Sequence, residues 1–238
     1  DAFTKILQTN RGKEMNSPFT LTKEQYQELY QEVLLFAEIG GVVNDEEGIW
    51  KMCEEEFVNE LLPAIEAEDR IKVIDGCADS FVVCVQLHHF CMSKASFEIE
   101  YRQSLRYGFP YLTQVFTRNE VGLVPGLMYN LMLYLQSLAE QYNFNLYKAI
   151  KEVNRSNMTK FVRLGDLMNK YGDKNTLLRA SLACEELSNG KYKDVKATWN
   201  TTAEYALVVF RADNGKGKIV KPLWHFEEPN FTHCLLEN

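Results

Sequence analysis

The chain has 238 residues, enough for one large domain or for a core with a small appendage. Apolar residues make up 46% of it and charged residues 25%, which excludes an intrinsically disordered chain. The formal net charge of -7 argues against binding to nucleic acids or acidic membranes, although a bound metal would still allow an anionic small ligand. No apolar run reaches the roughly 18 residues of a membrane-spanning helix, so we expect none.

Helical periodicity dominates the first two thirds of the chain. Thr22 and Gln25 have the spacing of a capping box and predict a helix that the pair Gly40-Gly41 ends. Apolar spacing predicts a second helix over residues 44–67, and a third that Asp69 caps and that ends near residue 92.

The next stretch is harder to interpret, because residues 102–124 show no clear period. Pro125 suits the first turn of a helix that runs to about residue 142. Asn145 is a favourable N-cap for a further helix that ends near residue 153.

Beyond Asn157 the pattern changes. Residues 177–187 predict one more helix, whereas residues 205–211 and 218–221 predict two strands joined by the turn Asp213-Asn214-Gly215. The sequence therefore predicts a mainly α protein, a helical bundle with a small C-terminal α+β appendage that contains a β-hairpin.

We place the domain boundary where the character of the sequence changes. The bundle is expected over residues 1–160, with an inserted segment at about 92–142, and the appendage over residues 161–238, packed on the bundle. Cys77, Cys84 and Cys91 recur every seven residues, too far apart along a helix to form disulfides. We interpret them as core residues of a protein in a reducing, cytoplasmic compartment.

An acidic pair stands out in the third predicted helix. Asp75 and Asp79 are four residues apart, so they share one face, and the residues that follow are apolar all round. A buried carboxylate costs several kcal/mol unless it is paired or bound to a metal, so the pair predicts a metal site. The alternative is that both aspartates lie at a solvated helix end, paired with lysine.

The second predicted helix carries a matching pair, Glu56 and Glu60, whereas Glu54 and Glu55 are expected to face solvent. Two antiparallel helices with such pairs would form an oxygen-rich cage suited to Mg²⁺ or Mn²⁺. Taken alone, a glutamate-rich helix is more often a solvated face. A di-iron bundle is the least favoured reading, because the chain has no Glu-x-x-His pairs.

These motifs resemble those of the MazG-like pyrophosphohydrolases, and phage and bacterial members of the phosphoribosyl-ATP-pyrophosphohydrolase-like branch are more similar still. The matching stretches are Glu56 to Glu60 with Ala64-Ile65, Asp75-Gly76-Cys77-Ala78-Asp79, Val153-Asn154-Arg155-Ser156-Asn157-Met158-Thr159-Lys160, and Gly217-Lys218-Ile219-Val220-Lys221-Pro222. The resemblance covers about residues 20–95 and 143–230. Phe57 departs from the family's Glu-Glu-x-x-Glu pattern, so Glu55 and Glu56 both remain candidates for the first helix.

The resemblance implies an all-α hydrolase that converts a nucleoside triphosphate, or a related nucleotide, to a monophosphate and pyrophosphate. One or two Mg²⁺ ions (or Mn²⁺) would be held by Glu56, Glu60, Asp75 and Asp79, which are also the expected catalytic residues. The family's bundles usually form homo-oligomers, so a homodimer or homotetramer is expected, with no nucleic acid or membrane partner.

Three residues from the later motifs are the candidates for substrate binding. We expect Lys160 and Lys221 to contact phosphates and Asn157 to orient a phosphate or ribose oxygen. The alternative is that the stretch 155–160 only docks the tail on the bundle. The competing function is a non-catalytic module on the same scaffold, either a nucleotide sensor or a host-interaction protein that uses the inserted segments 92–142 and 166–201.

Overall fold

A computed structural model describes residues 17–41, 46–94, 126–201 and 206–237 of the chain. Within these ranges the protein is mainly helical, with a small three-stranded antiparallel sheet near the C-terminus. None of the described helices is both long and apolar enough to cross a membrane. The stretch 102–124, which has no clear sequence period, lies outside the described residues.

Helix α1 (Lys23–Gly40) begins and ends as its sequence predicts. The Thr22 hydroxyl accepts a hydrogen bond from the Gln25 backbone at 3.2 Å, and the Gln25 side chain accepts one from the Thr22 backbone at 2.9 Å. Gly41 ends the helix with φ +65°, a left-handed conformation that favours glycine. Its N–H donates to carbonyl groups of the last helical turn. One face of the helix, including Leu29 and Val33, is buried in the bundle core.

The second helical stretch changes its winding along its length. It starts as helix α2 (Glu46–Cys53), widens into a π-helix (Glu54–Leu61) and returns to α-helical form in α3 (Leu62–Glu66). The Leu62 N–H donates to the Phe57 carbonyl, five residues back, which is the π-helical pattern. This stretch matches the predicted helix over residues 44–67, but its winding was not predicted.

Helix α4 (Arg70–Lys94) is the central helix of the bundle, and its partner stretch lies unusually close to it. The Asp69 carboxylate caps it by accepting from the Lys72 backbone at 3.2 Å. A Cβ atom added to Gly76 would lie only 3.0 Å from Leu61 Cα, so glycine at this position lets α4 approach the π-helix. The acidic turns of the two helices therefore lie side by side.

Helices α5 (Leu127–Gln141) and α6 (Leu146–Met158) complete the described bundle. Asn145 caps α6 by accepting from the Lys148 backbone at 2.9 Å, as predicted. Helix α6 continues past residue 153, where we expected it to end, to Met158. Most of the stretch 155–160 is therefore the last helical turn rather than a loop.

An ion-pair cluster joins α6 to α1. Lys151 Nζ contacts Glu28 Oε1 at 2.9 Å and also binds Glu32. The Tyr147 hydroxyl donates to the second oxygen of Glu28 at 2.8 Å, and Asn154 Nδ2 donates to Glu32 at 3.0 Å. Both glutamates thus form ion pairs and hydrogen bonds with side chains of α6.

The C-terminal unit is built on a sheet with the order β1-β3-β2. Its elements in chain order are β1 (Val162–Arg163), α7 (Leu164–Tyr171), α8 (Thr176–Leu187), β2 (Lys196–Thr201) and β3 (Ala206–Arg211). Val208 in the central strand is paired with Val162 on one side and Trp199 on the other. The helix α8 and the strand β3 were predicted, whereas β1, α7 and β2 were not.

The predicted hairpin is only partly correct. The expected turn is present, with left-handed φ angles of 52° at Asp213 and 59° at Asn214. The expected strand over residues 218–221 is reduced to a single bridge between Ile219 and Arg211. The extended pairing partner of β3 is instead β2, which precedes it in the chain.

The sheet packs on the end of α1. The rings of Phe36 and Phe161 stack with centroids 5.2 Å apart, and Leu207 and Val209 of β3 lie in the same buried cluster. Asn200 Nδ2 donates to the Ile39 carbonyl at 2.6 Å, which fixes the sheet against the helix end. The chain segments that follow the sheet therefore lie against the helical bundle. The division of the chain into two domains at residue 160 stays a prediction.

Candidate functional site

The two predicted acidic pairs face each other across the α4–π-helix contact. Asp75 and Asp79 are the only residues between positions 73 and 87 of α4 that keep some exposure to solvent. Glu56 is half-buried on the facing π-helix, and Glu60, one turn later, is exposed at the rim. The four side chains interact electrostatically, so the structure brings all of them together.

Burial and mutual repulsion raise the pKa of three of these carboxyl groups, Glu56, Asp75 and Asp79. Burial, and then the nearby charge of Asp79, raise the pKa of Glu56 to about 8. Burial, followed by the charge of Asp75, raises the pKa of Asp79 to about 7. The pKa of Asp75 is raised to about 6 by burial and by Glu60. The protein therefore concentrates negative charge here without enough positive charge to balance it.

Glu55 and Glu56 lie on different sides of the π-helix. Glu55 is exposed and accepts a hydrogen bond from Asn59 Nδ2 at 3.0 Å, and Glu54 is exposed as well. Only Glu56 turns toward Asp79. Neither Asp75 nor Asp79 forms an ion pair or hydrogen bond with another described residue, so the lysine pairing of the alternative is not seen, and the metal site stays a prediction.

Lys160 reaches the acidic groups from the end of α6. Its half-buried ammonium donates to Asn157 Oδ1 at 2.5 Å and lies 5.5 Å from the centroid of the Phe36 ring. Burial lowers the pKa of Lys160, and the charge of Asp79 opposes this effect. Asn157 is itself buried, so it holds the ammonium in place beside the aspartate.

Lys221 approaches from the segment after the sheet. Its ammonium lies 4.4 Å from the centroid of the Phe226 ring and 3.6 Å from Glu228 Oε2. The Val220 N–H donates to the Phe210 carbonyl at 2.8 Å and so ties this segment to β3. The positive charge of Lys221 lowers the pKa of Asp75 and Asp79, against the larger effect of burial.

The remaining polar residues of the stretch 155–160 have a structural task. Ser156 Oγ donates to the Glu227 carbonyl at 2.8 Å, and Thr159 Oγ1 accepts from the Glu227 N–H at 3.0 Å. Arg155 binds the carboxylates of Glu152 and Glu227. The stretch thus divides: these three residues dock the tail, whereas Lys160 lies near the carboxylates and Asn157 binds Lys160.

Glu228 is a fifth acidic residue at the site that was not predicted from the sequence. Its side chain is 72% exposed, pairs with Lys221, and its charge contributes to raising the pKa of Asp75. It follows Pro222 in a stretch without secondary structure or periodicity, so no sequence signal marked it. Tail docking through Glu227 is what brings it to the site.

A cleft of 480 Å³ opens beside the acidic residues, at the hairpin end of the two helices. Glu60 and Asp75 form one side of it, so the cleft and the acidic site share two residues. Its other lining residues are Asn59, Pro63, Ala64, Ala67, Lys72 and Gly76.

The donor chemistry of the site suits a hard divalent cation. All four predicted ligands are carboxylates, the type of ligand that Mg²⁺ and Mn²⁺ prefer, and a cation would balance their charge. Among the residues that the structure describes, however, no three Asp, Glu, His or Cys side chains stand close enough together to hold a metal ion. The side chains would have to turn inward to bind one.

Comparison with known proteins adds no assignment. No family model matches the chain, and neither the curated proteins nor the solved structures give a match.

Proposed function

We propose that this protein is a Mg²⁺-dependent nucleotide pyrophosphohydrolase of the MazG-like, all-α kind. It would hydrolyse a nucleoside triphosphate, or a related nucleotide, to a monophosphate and pyrophosphate. The observation that supports this best is the gathering of four carboxylates and two lysines from four separate parts of the chain. Carboxylates for a metal and ammonium groups for phosphates are the two requirements of phosphoryl chemistry.

In this proposal each residue has a distinct task. Glu56, Glu60, Asp75 and Asp79 would hold the metal, whose contribution would be to lower the pKa of a bound water and to neutralise phosphate charge. Lys160 and Lys221 bind the phosphate chain as point charges, and Asn157 positions Lys160 and orients a phosphate or ribose oxygen. The attacking water forms a bond to the α-phosphorus while the bond from that phosphorus to the bridging oxygen breaks.

Proton transfer falls to the carboxylates. The water would lose its proton to one of the carboxylates of the site, and pyrophosphate would leave with the bridging oxygen. The family's usual homodimer or homotetramer and a cytoplasmic location remain parts of this proposal.

A non-catalytic nucleotide-binding module is the second candidate. It is favoured by one observation, the lack of a preassembled metal cluster among the described residues. Such a module would bind nucleotides through Lys160 and Lys221 without turning them over. The predicted host-interaction version relies on the segments 92–142 and 166–201, and much of the first lies outside the described residues.

Pyrophosphate release from a panel of nucleoside triphosphates separates the two candidates. The enzyme should release pyrophosphate with Mg²⁺ or Mn²⁺, lose this activity in excess EDTA and regain it when the metal is restored. Glu56→Gln should be inactive, and its neighbour Glu55→Gln should be fully active, because only Glu56 faces Asp79. Activity unchanged in EDTA would exclude metal dependence, and binding without turnover would favour the module.

A further inference from the structure

The proposed reaction does not involve the cleft at the hairpin end of the helices. Its volume of 480 Å³ lies within the range of small-molecule sites. It adjoins Glu60 and Asp75, so a ligand in it would reach the acidic site without a gap. We therefore expect the group bound in the cleft to be part of the same molecule that the carboxylates and lysines bind.

The positions of the lysines define which end of a nucleotide would face the cleft. Asn157 holds the Lys160 ammonium at the end of α6, and Lys221 pairs with Glu228 in the segment after the sheet. Neither lysine lines the cleft. Phosphates bound by these ammonium groups would therefore leave the non-phosphate end of the molecule directed toward the cleft.

The walls of the cleft suit an uncharged, flat group better than a phosphate. Pro63, Ala64 and Ala67 form a low apolar wall. Among the described residues, the one cation that lines the cleft is Lys72, whose Nζ already lies 3.7 Å from Asp69 Oδ2. Glu60 and Asp75 would repel an additional anion. These features disfavour the pyrophosphate group as the occupant.

We infer that this cleft binds the nucleoside, the base and sugar, of the substrate. The inference rests on the proposed function and adds the direction of the substrate along the site. No aromatic residue is among the described residues that line the cleft, so base stacking is not what holds the nucleoside there. Contact with the small apolar wall, and hydrogen bonds that the sugar hydroxyls donate to Asn59 Oδ1, would hold it instead.

Ala67 offers a clean way to fill the cleft. It is exposed and ends α3, so a leucine at this position would enter the cleft and not the core. Glu66→Leu is the matched control, because Glu66 is the exposed neighbour that does not line the cleft. Circular dichroism and thermal melting would verify that both variants fold as the wild type does.

The test measures binding by calorimetry in the presence of Mg²⁺, which does not depend on turnover. The ligands are the common ribo- and deoxyribonucleoside monophosphates and, separately, inorganic pyrophosphate. Ala67→Leu should weaken monophosphate binding by about tenfold or more, the size of a steric misfit in a small site, and leave pyrophosphate binding unchanged. Lys221→Ala should weaken pyrophosphate binding the most. Glu66→Leu should change neither ligand.

Two outcomes would overturn the inference. One is equal monophosphate affinity in Ala67→Leu and Glu66→Leu, and the other is a loss of pyrophosphate binding in Ala67→Leu as large as the loss of monophosphate binding. Failure of the proposed function would look different, because nucleoside triphosphates would bind to the wild type without any release of pyrophosphate.

Discussion

Two acidic clusters of this protein contain similar residues in opposite electrostatic states. In the α1–α6 cluster, Glu28 and Glu32 bind Lys151, and the hydrogen bond from Lys151 lowers the pKa of Glu28. In the cluster between α4 and the π-helix, burial and mutual repulsion raise the pKa of Glu56, Asp75 and Asp79. In the first cluster a lysine of the protein balances the charge of the carboxylates, whereas in the second cluster the carboxylates repel one another.

The difference separates a structural cluster from a candidate functional one. Carboxylates that are bonded within the fold stabilise it, and they have little capacity left for a ligand. Carboxylates held together without partners destabilise the fold, and such strain is typical of sites that bind a cation or perform chemistry. Substitutions in the two clusters should therefore have opposite effects on stability and on activity.

The largest expected effect is on turnover. Asp79→Asn should lower kcat by more than about a hundredfold, because loss of even a supporting group at a metal site costs 10–100-fold. The metal-free variant should melt at a higher temperature than the wild type, since one repelled charge is removed. Pyrophosphate release and thermal melting provide the two measurements.

Glu28→Gln is the matched variant in the paired cluster. It should keep the wild-type kcat and melt at a slightly lower temperature at pH 7, because it weakens the contact with Lys151. Wild-type turnover in Asp79→Asn, or loss of turnover in Glu28→Gln, would break the distinction between the clusters.

The second effect concerns the lysines that partly balance the unpaired cluster. Lys160→Ala and Lys221→Ala should each lower kcat/KM by about 5- to 150-fold, which corresponds to the roughly 1–3 kcal/mol of a charged hydrogen bond. Affinity of the free enzyme for Mg²⁺ should be nearly unchanged, because the proposed ligands lie on other segments.

Lys218→Ala is the control for the lysine variants, since Lys218 is exposed and lies on the same segment as Lys221. It should match the wild type in steady-state kinetics at sub-saturating substrate. If Lys160→Ala and Lys221→Ala behave like this control, the tail serves only to dock on the bundle.

The smallest effect is the pH dependence of stability. Unfolded Asp and Glu titrate near pH 4, whereas the folded pKa values of Asp75, Asp79 and Glu56 are about 6, 7 and 8. Between pH 4 and 8 the folded state therefore holds more protons at these groups, so their contribution to the free energy of unfolding falls as pH rises. Glu28, with its lowered pKa, contributes in the opposite direction and loses its stabilising effect as pH falls.

Melting temperatures of the metal-free protein should accordingly decrease from pH 5.5 to pH 8.5, a range of about three units around these pKa values. Mg²⁺ should raise the melting temperature more at pH 8.5 than at pH 5.5, because it competes with protons for the same carboxylates. Asp79→Asn should show a weaker pH dependence and a smaller response to Mg²⁺. A response to Mg²⁺ that is equal at both pH values would argue against binding at these residues.

Local signals in the sequence were enough to predict the helices and the acidic pairs. The capping residues Thr22, Asp69 and Asn145 act through short-range hydrogen bonds, so their sequence patterns remain valid in the folded chain. Asp75 and Asp79 were recognisable because they interrupt an apolar helix, and they are the residues of its central part that keep solvent exposure.

Features that depend on distant contacts were not predictable in this way. Strand β2 is largely exposed and is defined by its pairing with β3, not by alternating apolar residues. Glu228 reaches the site because Ser156 and Thr159 hold the backbone of Glu227. The π-helix has no sequence signature, since its hydrogen bonds connect backbone groups that every residue carries.

The π-helix has a consequence for the lengths of related chains. Its hydrogen bonds span one residue more than those of an α-helix, so losing a single residue between positions 54 and 61 would allow regular α-helical winding. Because a π-helical turn holds about one residue more than an α-helical turn, the residues on the two sides of the deletion would keep their present faces toward α4. In a homologue, a one-residue gap at this point would therefore mark regular α-helical winding in a protein that keeps the same bundle.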